Sequence, residues 1–153
     1  MGILDGTEVV SIEGFESFKS LHTKLYIGKR APLYCTAVGK AILAFLPEAD
    51  REGLIDTLDL IPQTSKTITD KAKLREELER IRSRGTAFDK GENEDGIACV
   101  GAPIFDSSGV VVASISISGP IFRMEEEVMK KYSDLLKKVV SRISSALGHG
   151  LQQ

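Results

Sequence analysis

Two serines, a cysteine, an aspartate and a run of small residues are spaced so that they could act together. Ile97–Phe105 and Val110–Ser118 read as two antiparallel strands joined by the turn formers Asp106-Ser107-Ser108-Gly109. If Phe105 and Val110 close that loop, counting back pairs Cys99 with Ser116, Ile97 with Ser118 and Gly101 with Ser114. Side chains alternate along a strand, so these six residues share one face. Val111, Ala113, Ile115 and Ile117 form the opposite, apolar face. Upstream, Thr36 is an N-cap for a helix through Phe45, opened by the small residues Ala37, Gly39 and Ala41. A helix start presents unpaired amides and the positive end of the dipole, which suits an anion. A pocket between that helix start and the serine-bearing face would offer the N–H groups of Thr36, Ala37, Val38 and Gly39 and the hydroxyls of Ser116 and Ser118. Asp89 would accept from a hydroxyl or a protonated group, and Ile97 and Ala31 would supply apolar wall. The chemistry this suits is recognition of a small carboxylate such as a keto, hydroxy or aromatic acid. A serine stripe is also what a plainly solvated strand face looks like.

Other constellations are weaker. A nucleophilic Cys99 needs a depressed pKa and a base within reach; the histidines are His22, on an expected strand, and His149, in a tail that reads as frayed. Cys99 and Cys35 therefore read as small apolar residues. No spacing brings the cysteines and His22 together as a metal site. Gly39-Lys40 suggests a phosphate loop, but Tyr34 and Ala41 stand where GxxxxGK[ST] needs glycine and a hydroxyl, so Lys40 reads as a solvated or capping-region side chain. Glu92, Glu94 and Asp95 read as a flexible acidic loop without the EF-hand pattern.

These residues need a scaffold. The chain has 153 residues, one domain by size and long enough for a real core. A hydrophobic share of 42% and a charged share of 27% are those of a soluble globular protein. A net charge of −2 gives no overall basic signature for nucleic acid. Two cysteines without CxxC fit a reduced, cytoplasmic setting. Neither a signal peptide nor an apolar run of membrane-spanning length is present.

In order, Thr7–Ile12 and Leu21–Ile27 alternate as strands, with Phe15–Ser20 ambiguous between them and a basic loop over Gly28–Pro32. After the helix capped by Thr36, Pro47 stops it and Glu48–Leu58 forms a second helix. Ile61–Thr69 is a loop. Asp70 caps a third helix on Leu74, Leu78 and Ile81, stopped by Gly85. Thr86–Asp89 is a short strand. Glu125–Leu147 is the clearest helix, with a stripe of Val128, Met129, Tyr132, Leu135, Leu136, Val139, Ile143 and Leu147 and acids at its positive end. That stripe should cover the Val111/Ala113/Ile115/Ile117 face. The result is an α+β layer architecture with helices on both sheet faces.

PLYCTAVGKAILAFLP, the helix ending in IRSRGTAFD, the block GENEDGIACVGAPIFDSSGVVVASISISGP and the terminal helix occur in that order. Together they resemble the effector-binding domain of IclR-type bacterial transcriptional regulators, from about Leu4 to Leu147. The resemblance implies a GAF-like fold with a curved antiparallel sheet, a small-metabolite ligand that is often a carboxylate, no cofactor, and assembly into homodimers or homotetramers. It places ligand contacts at Ala37, Val38, Asp89, Ile97, Cys99, Ser116 and Ser118. Val38 is bulkier than the alanine expected there, and some members have glycine at Ala37, so pocket size is left open. The family's DNA-binding winged helix-turn-helix domain is not present before Leu4. Residues 1–153 are thus expected to be a single effector-binding domain, either excised or a shortened homologue. The alternatives are a GAF-like enzyme using Cys99 as a reactive thiol and a pure dimerisation module.

Overall fold

The computed structural model describes residues 1–16 and 26–150. The strands are β1 (Gly2–Asp5), β2 (Glu8–Ser11), β3 (Arg30–Pro32), β4 (Ala87–Asp89), β5 (Ile97–Phe105) and β6 (Val111–Pro120). The helices are α1 (Ala37–Phe45), α2 (Glu48–Thr57), α3 (Lys71–Arg84) and α4 (Glu126–Ala146), the last preceded by a 3₁₀ turn at Ile121–Arg123. The strands form one curled antiparallel sheet in the order β3-β2-β1-β6-β5-β4.

Helices cover both faces. On one, α1 lies against β5 and β6 with α3 behind it, and Leu33, Ile42, Leu43, Ile55, Leu74, Leu78 and Ile81 close that core. On the other, α4 packs on Ala98, Val100, Ala102, Ile104 and Ala113 through Met129, Leu136 and Val140. The small residues on β5 let the helix approach closely. The helix ends follow the local chemistry of the sequence. Asp70 accepts from the Lys73 amide at 2.8 Å, and Gly85 stops α3 in the left-handed region at φ 79°.

The β5–β6 register differs from the counted one. Cys99 pairs with Ser118, Gly101 with Ser116 and Ile97 with Pro120. The loop runs through Val110, held by Asp106, whose Oδ1 accepts from the Ser108 and Val110 amides at 2.8 and 3.1 Å. A bulge between Ile104 and Phe105 then leaves Val112 as the extra residue. The loop and the bulge each move the register by one position. The sum is even, so residues from Ala113 onward keep their expected faces. Val111 does not: it lies before the bulge and packs in the α1-side core, while Ala113 packs under α4.

The buried stripe of α4 also differs from the expected one. The stripe this helix buries most deeply is Met129, Ser133, Leu136, Val140 and Ser144, while Leu135 and Leu147 of the expected stripe are exposed. The Phe105 amide donates to Ser144 Oγ at 3.0 Å, and Ser133 Oγ is hydrogen-bonded to Thr86 Oγ1 at 2.8 Å. Both serines are buried because each has a partner.

Gly2–Asp5, too short at the terminus to show a period, is an additional strand that pairs with β2 and meets β6 at Ser114. Three further expectations are corrected. The basic loop is in part a strand, because Arg30–Pro32 pairs with Glu8–Val10. The tail at His149 is docked: its ring stacks on Phe105 at 5.2 Å and Nδ1 lies 3.2 Å from the Asp106 carbonyl. Lys40 is fully buried, with Nζ 2.6 Å from Glu92 Oε1, so neither Lys40 nor Glu92 is a solvated side chain. The strand expected over 21–27 falls mostly on residues 21–25, outside the described residues.

Candidate functional site

The first turn of α1 is held against the sheet by three contacts. Thr36 Oγ1 accepts from the Gly39 amide at 3.0 Å and donates to the Pro32 carbonyl at 2.9 Å. Ser114 Oγ, fully buried, donates to the Val38 carbonyl at 2.8 Å. Gly101 supplies the third: a Cβ there would lie 2.5 Å from the Ala37 carbonyl oxygen. Only a glycine lets the helix start approach so closely. The Gly39 amide is taken by the cap and the Lys40 amide by the Thr36 carbonyl. The amides of Ala37 and Val38 sit where an α-helix has no acceptor of its own.

Opposite that turn the sheet lays out its polar residues in rows. Asp89 pairs with Cys99 and Cys99 with Ser118; one row on, Ala87 pairs with Gly101 and Gly101 with Ser116. Directly paired residues on one face sit about 5 Å apart, so Asp89, Cys99 and Ser118 form a continuous line across β4, β5 and β6.

Between the rows and the helix start lies a cavity of about 580 Å³. Ala31, Thr36, Ala37, Val38, Asp89, Ile97, Cys99, Ser116 and Ser118 all line it. They come from β3, the α1 start, β4, β5 and β6. Sequence reasoning missed Asn93 and Glu94 on the loop after β4, Val9 and Ser11 on β2, and Lys29 and Arg123. The positions of Val9, Ser11 and Lys29 depend on β1, β2 and β3 curling round to the α1 start, and no local signal carries that. Thr36 lines the cavity, and its hydroxyl proton is committed to the Pro32 carbonyl.

Asp89 is buried, and its Oδ1 accepts from the Gly91 and Glu92 amides at 3.0 and 2.7 Å. Burial lifts its carboxyl above the ordinary aspartate range, opposed by those amides and by the Lys40 charge. Burial, with the Asp89 charge second, pushes the Cys99 thiol up to about 12. Burial and the nearby carboxylates do the same to Cys35. A neutral thiol is a poor nucleophile. His149 is engaged at the Phe105 end of β5, roughly 20 Å along the strand from Cys99, and His22 lies outside the described residues. No group of three or more His, Cys, Asp and Glu placed to hold a metal occurs among the described residues. No helix there is long and apolar enough to cross a membrane.

The proteins to which the chain is similar are named as transcriptional regulators. Residues 1–145 match the family described as bacterial transcriptional regulator IclR C-terminal. The HTH-type transcriptional regulator KdgR of Escherichia coli K12 is 34% identical over 149 residues, which cover 97% of this chain and 57% of KdgR. The crystal structure of the Thermotoga maritima IclR superposes with a TM-score of 0.93 at 44% identity, covering 97% of this chain and 60% of that one. The inducer-binding domain of the PobR transcription factor from Acinetobacter, a double mutant in complex with 3-hydroxybenzoic acid, shares the fold. Its TM-score is 0.82 at 22% identity, covering 94% of this chain and 85% of that one. The chain spans about half the length of the curated relatives it matches. Those relatives are named as transcriptional regulators and not as enzymes. On this match the chain belongs to the IclR family of bacterial transcriptional regulators, as a C-terminal domain of that type.

Proposed function

We propose that the cavity receives a small organic acid and that residues 1–153 form one effector-sensing and oligomerising domain. DNA would be contacted through a winged helix-turn-helix domain joined to it. The observation that carries this reading is the convergence of first-turn amides with Asp89, Ser116 and Ser118 on a cavity of about 580 Å³. That volume lies in the range of small-molecule sites. The carboxylate would sit on the amides of Ala37 and Val38. Its hydroxyl, keto or ring substituents would meet Ser116, Ser118 and Asp89, with Ile97, Cys99 and Ala31 as wall. The bound 3-hydroxybenzoic acid of the PobR inducer-binding domain supports an acid as the effector class. Control would follow from differential affinity: an acid that prefers one arrangement of a homodimer or homotetramer shifts the population toward it and so changes DNA affinity.

Titration calorimetry against pyruvate, gluconate and hydroxybenzoates tests the site. At least one acid should bind, and Ser118→Ala with Asp89→Ala should weaken it at least tenfold. Unchanged affinities in that double variant would remove the site assignment. The reading of Cys99 as a catalytic thiol has no support in a thiol held neutral at physiological pH.

A further inference from the structure

Behind the cavity wall two carboxyl groups lie in the field of one ammonium, which contacts only Glu92. Lys40, fully buried in α1, places Nζ 2.6 Å from Glu92 Oε1. Glu92 Oε2 is buried and has no hydrogen-bond partner. The Glu92 amide donates at 2.7 Å to Asp89, whose side chain lines the cavity. Glu77 faces the cluster from α3, but its charge is met by Arg80 at 3.0 Å and Arg84 at 3.6 Å. The thiols of Cys35 and Cys99 are the other titratable neighbours, and both are held neutral. Glu94 and Lys29 act on the Cys99 end, and Lys66 approaches the loop at Gly91 from outside. With Asp89 and Glu92 both ionised, the buried group carries one negative charge in excess, next to a cavity read as an anion site. Like charges brought together in a poorly screened interior favour protonation of one of them.

The same loop lines the cavity through Asn93 and Glu94 and is tied down on its far side. Thr64 Oγ1 donates to the Gly91 carbonyl and Thr67 Oγ1 to that of Glu92, each at 2.7 Å. With its backbone fixed in this way, the pair has little freedom to move away from an arriving anion, and taking up a proton is the response left to it.

We propose that binding of an organic acid in the cavity is coupled to proton uptake by the Asp89–Glu92 pair, so that affinity for the anion rises as pH falls. This rests on the effector reading above and adds its regulation: the sensor reports acid and proton together. Burial already lifts Glu92 to about 7. An anion that raised it by about one further unit would draw in roughly 0.4 proton per site at neutral pH. It would weaken binding roughly sevenfold between about pH 6 and 8.5, where the probe carboxylate stays ionised.

The experiment is calorimetry with pyruvate, gluconate and 3-hydroxybenzoate in phosphate and in Tris, two buffers of different ionisation enthalpy, on the parent and on Glu92→Gln. The parent should show buffer-dependent heats equivalent to a fractional proton taken up. Glu92→Gln, which keeps the shape and fixes the side chain neutral, should hold the parent's low-pH affinity across the range. Binding by the parent without proton uptake overturns the coupling and leaves the effector site standing. An unaltered pH slope in a cooperatively melting Glu92→Gln overturns it equally. Failure of every acid to bind removes the effector reading and the coupling together.

Discussion

Gly101→Ala is the substitution by which sheet and site can be tested together. The added Cβ would stand 2.5 Å from the Ala37 carbonyl oxygen and 2.7 Å from its carbon. Both are backbone atoms at the start of a helix held by Ser114 and the Thr36 cap, so no side chain can swing aside. To regain even 3.0 Å the helix start must withdraw by at least ~0.5 Å. Overpacking of this kind costs about 2–3 kcal/mol, or roughly 5–10 °C in Tm for a chain of this size. The same shift carries the Ala37 and Val38 amides away from the cavity. A charge-assisted hydrogen bond contributes about 1.5–3 kcal/mol, so affinity for a bound acid should fall tenfold or more. Gly53→Ala is the control: it sits inside α2, and nothing lies within 4 Å of its would-be Cβ. It should be neutral or stabilising by up to about 1 kcal/mol. Differential scanning fluorimetry reads both variants. A Gly101→Ala protein that melts within about 1 °C of the parent and binds acid unchanged would refute the claim that this contact positions α1.

Three more outcomes follow from the same geometry. Thr36→Ala removes the α1 cap and one anchor to Pro32, and should lower stability by about 1–2 kcal/mol in denaturant titration. With both thiols near 12, iodoacetamide at pH 8 should label native Cys35 and Cys99 far more slowly than the same residues in urea; fast native labelling of Cys99 would restore the reactive-thiol reading. Because Glu92 and Asp89 are both raised, the folded chain keeps protons that the unfolded chain releases between about pH 4.5 and 7. Stability should therefore fall as pH rises through that window, and Glu92→Gln should flatten the slope; melting curves in a single buffer series decide it.

Why the sequence located the cavity wall but not everything around it has physical reasons. Strand parity survives any even slip, so Cys99, Ser116 and Ser118 were assigned the right face although their partners were miscounted. The bulge has no glycine to announce it, since Val111-Val112-Ala113 reads as an uninterrupted strand. Val111 was assigned to the wrong core for that reason. Thr36, Asp70 and Gly85 act through local hydrogen bonds and backbone conformation, and local chemistry is readable from a sequence. Lys40 is the opposite case. Its burial depends on a glutamate fifty-two positions along the chain, and a lysine on a helix is ordinarily solvated. Ser133 and Ser144 do not belong to the apolar stripe of α4, and their partners Thr86 and Phe105 are set by tertiary packing. The 120s turn and the curl of β1 to β3 close the cavity without any periodic signature.

The most direct test is a crystal structure of the chain with the tightest-binding acid of the calorimetric panel. Carboxylate oxygens about 2.7–3.1 Å from the amides of Ala37 and Val38, with the remaining polar groups on Ser116, Ser118 or Asp89, is the result expected. An acid bound elsewhere, with those amides and hydroxyls untouched, would contradict the account.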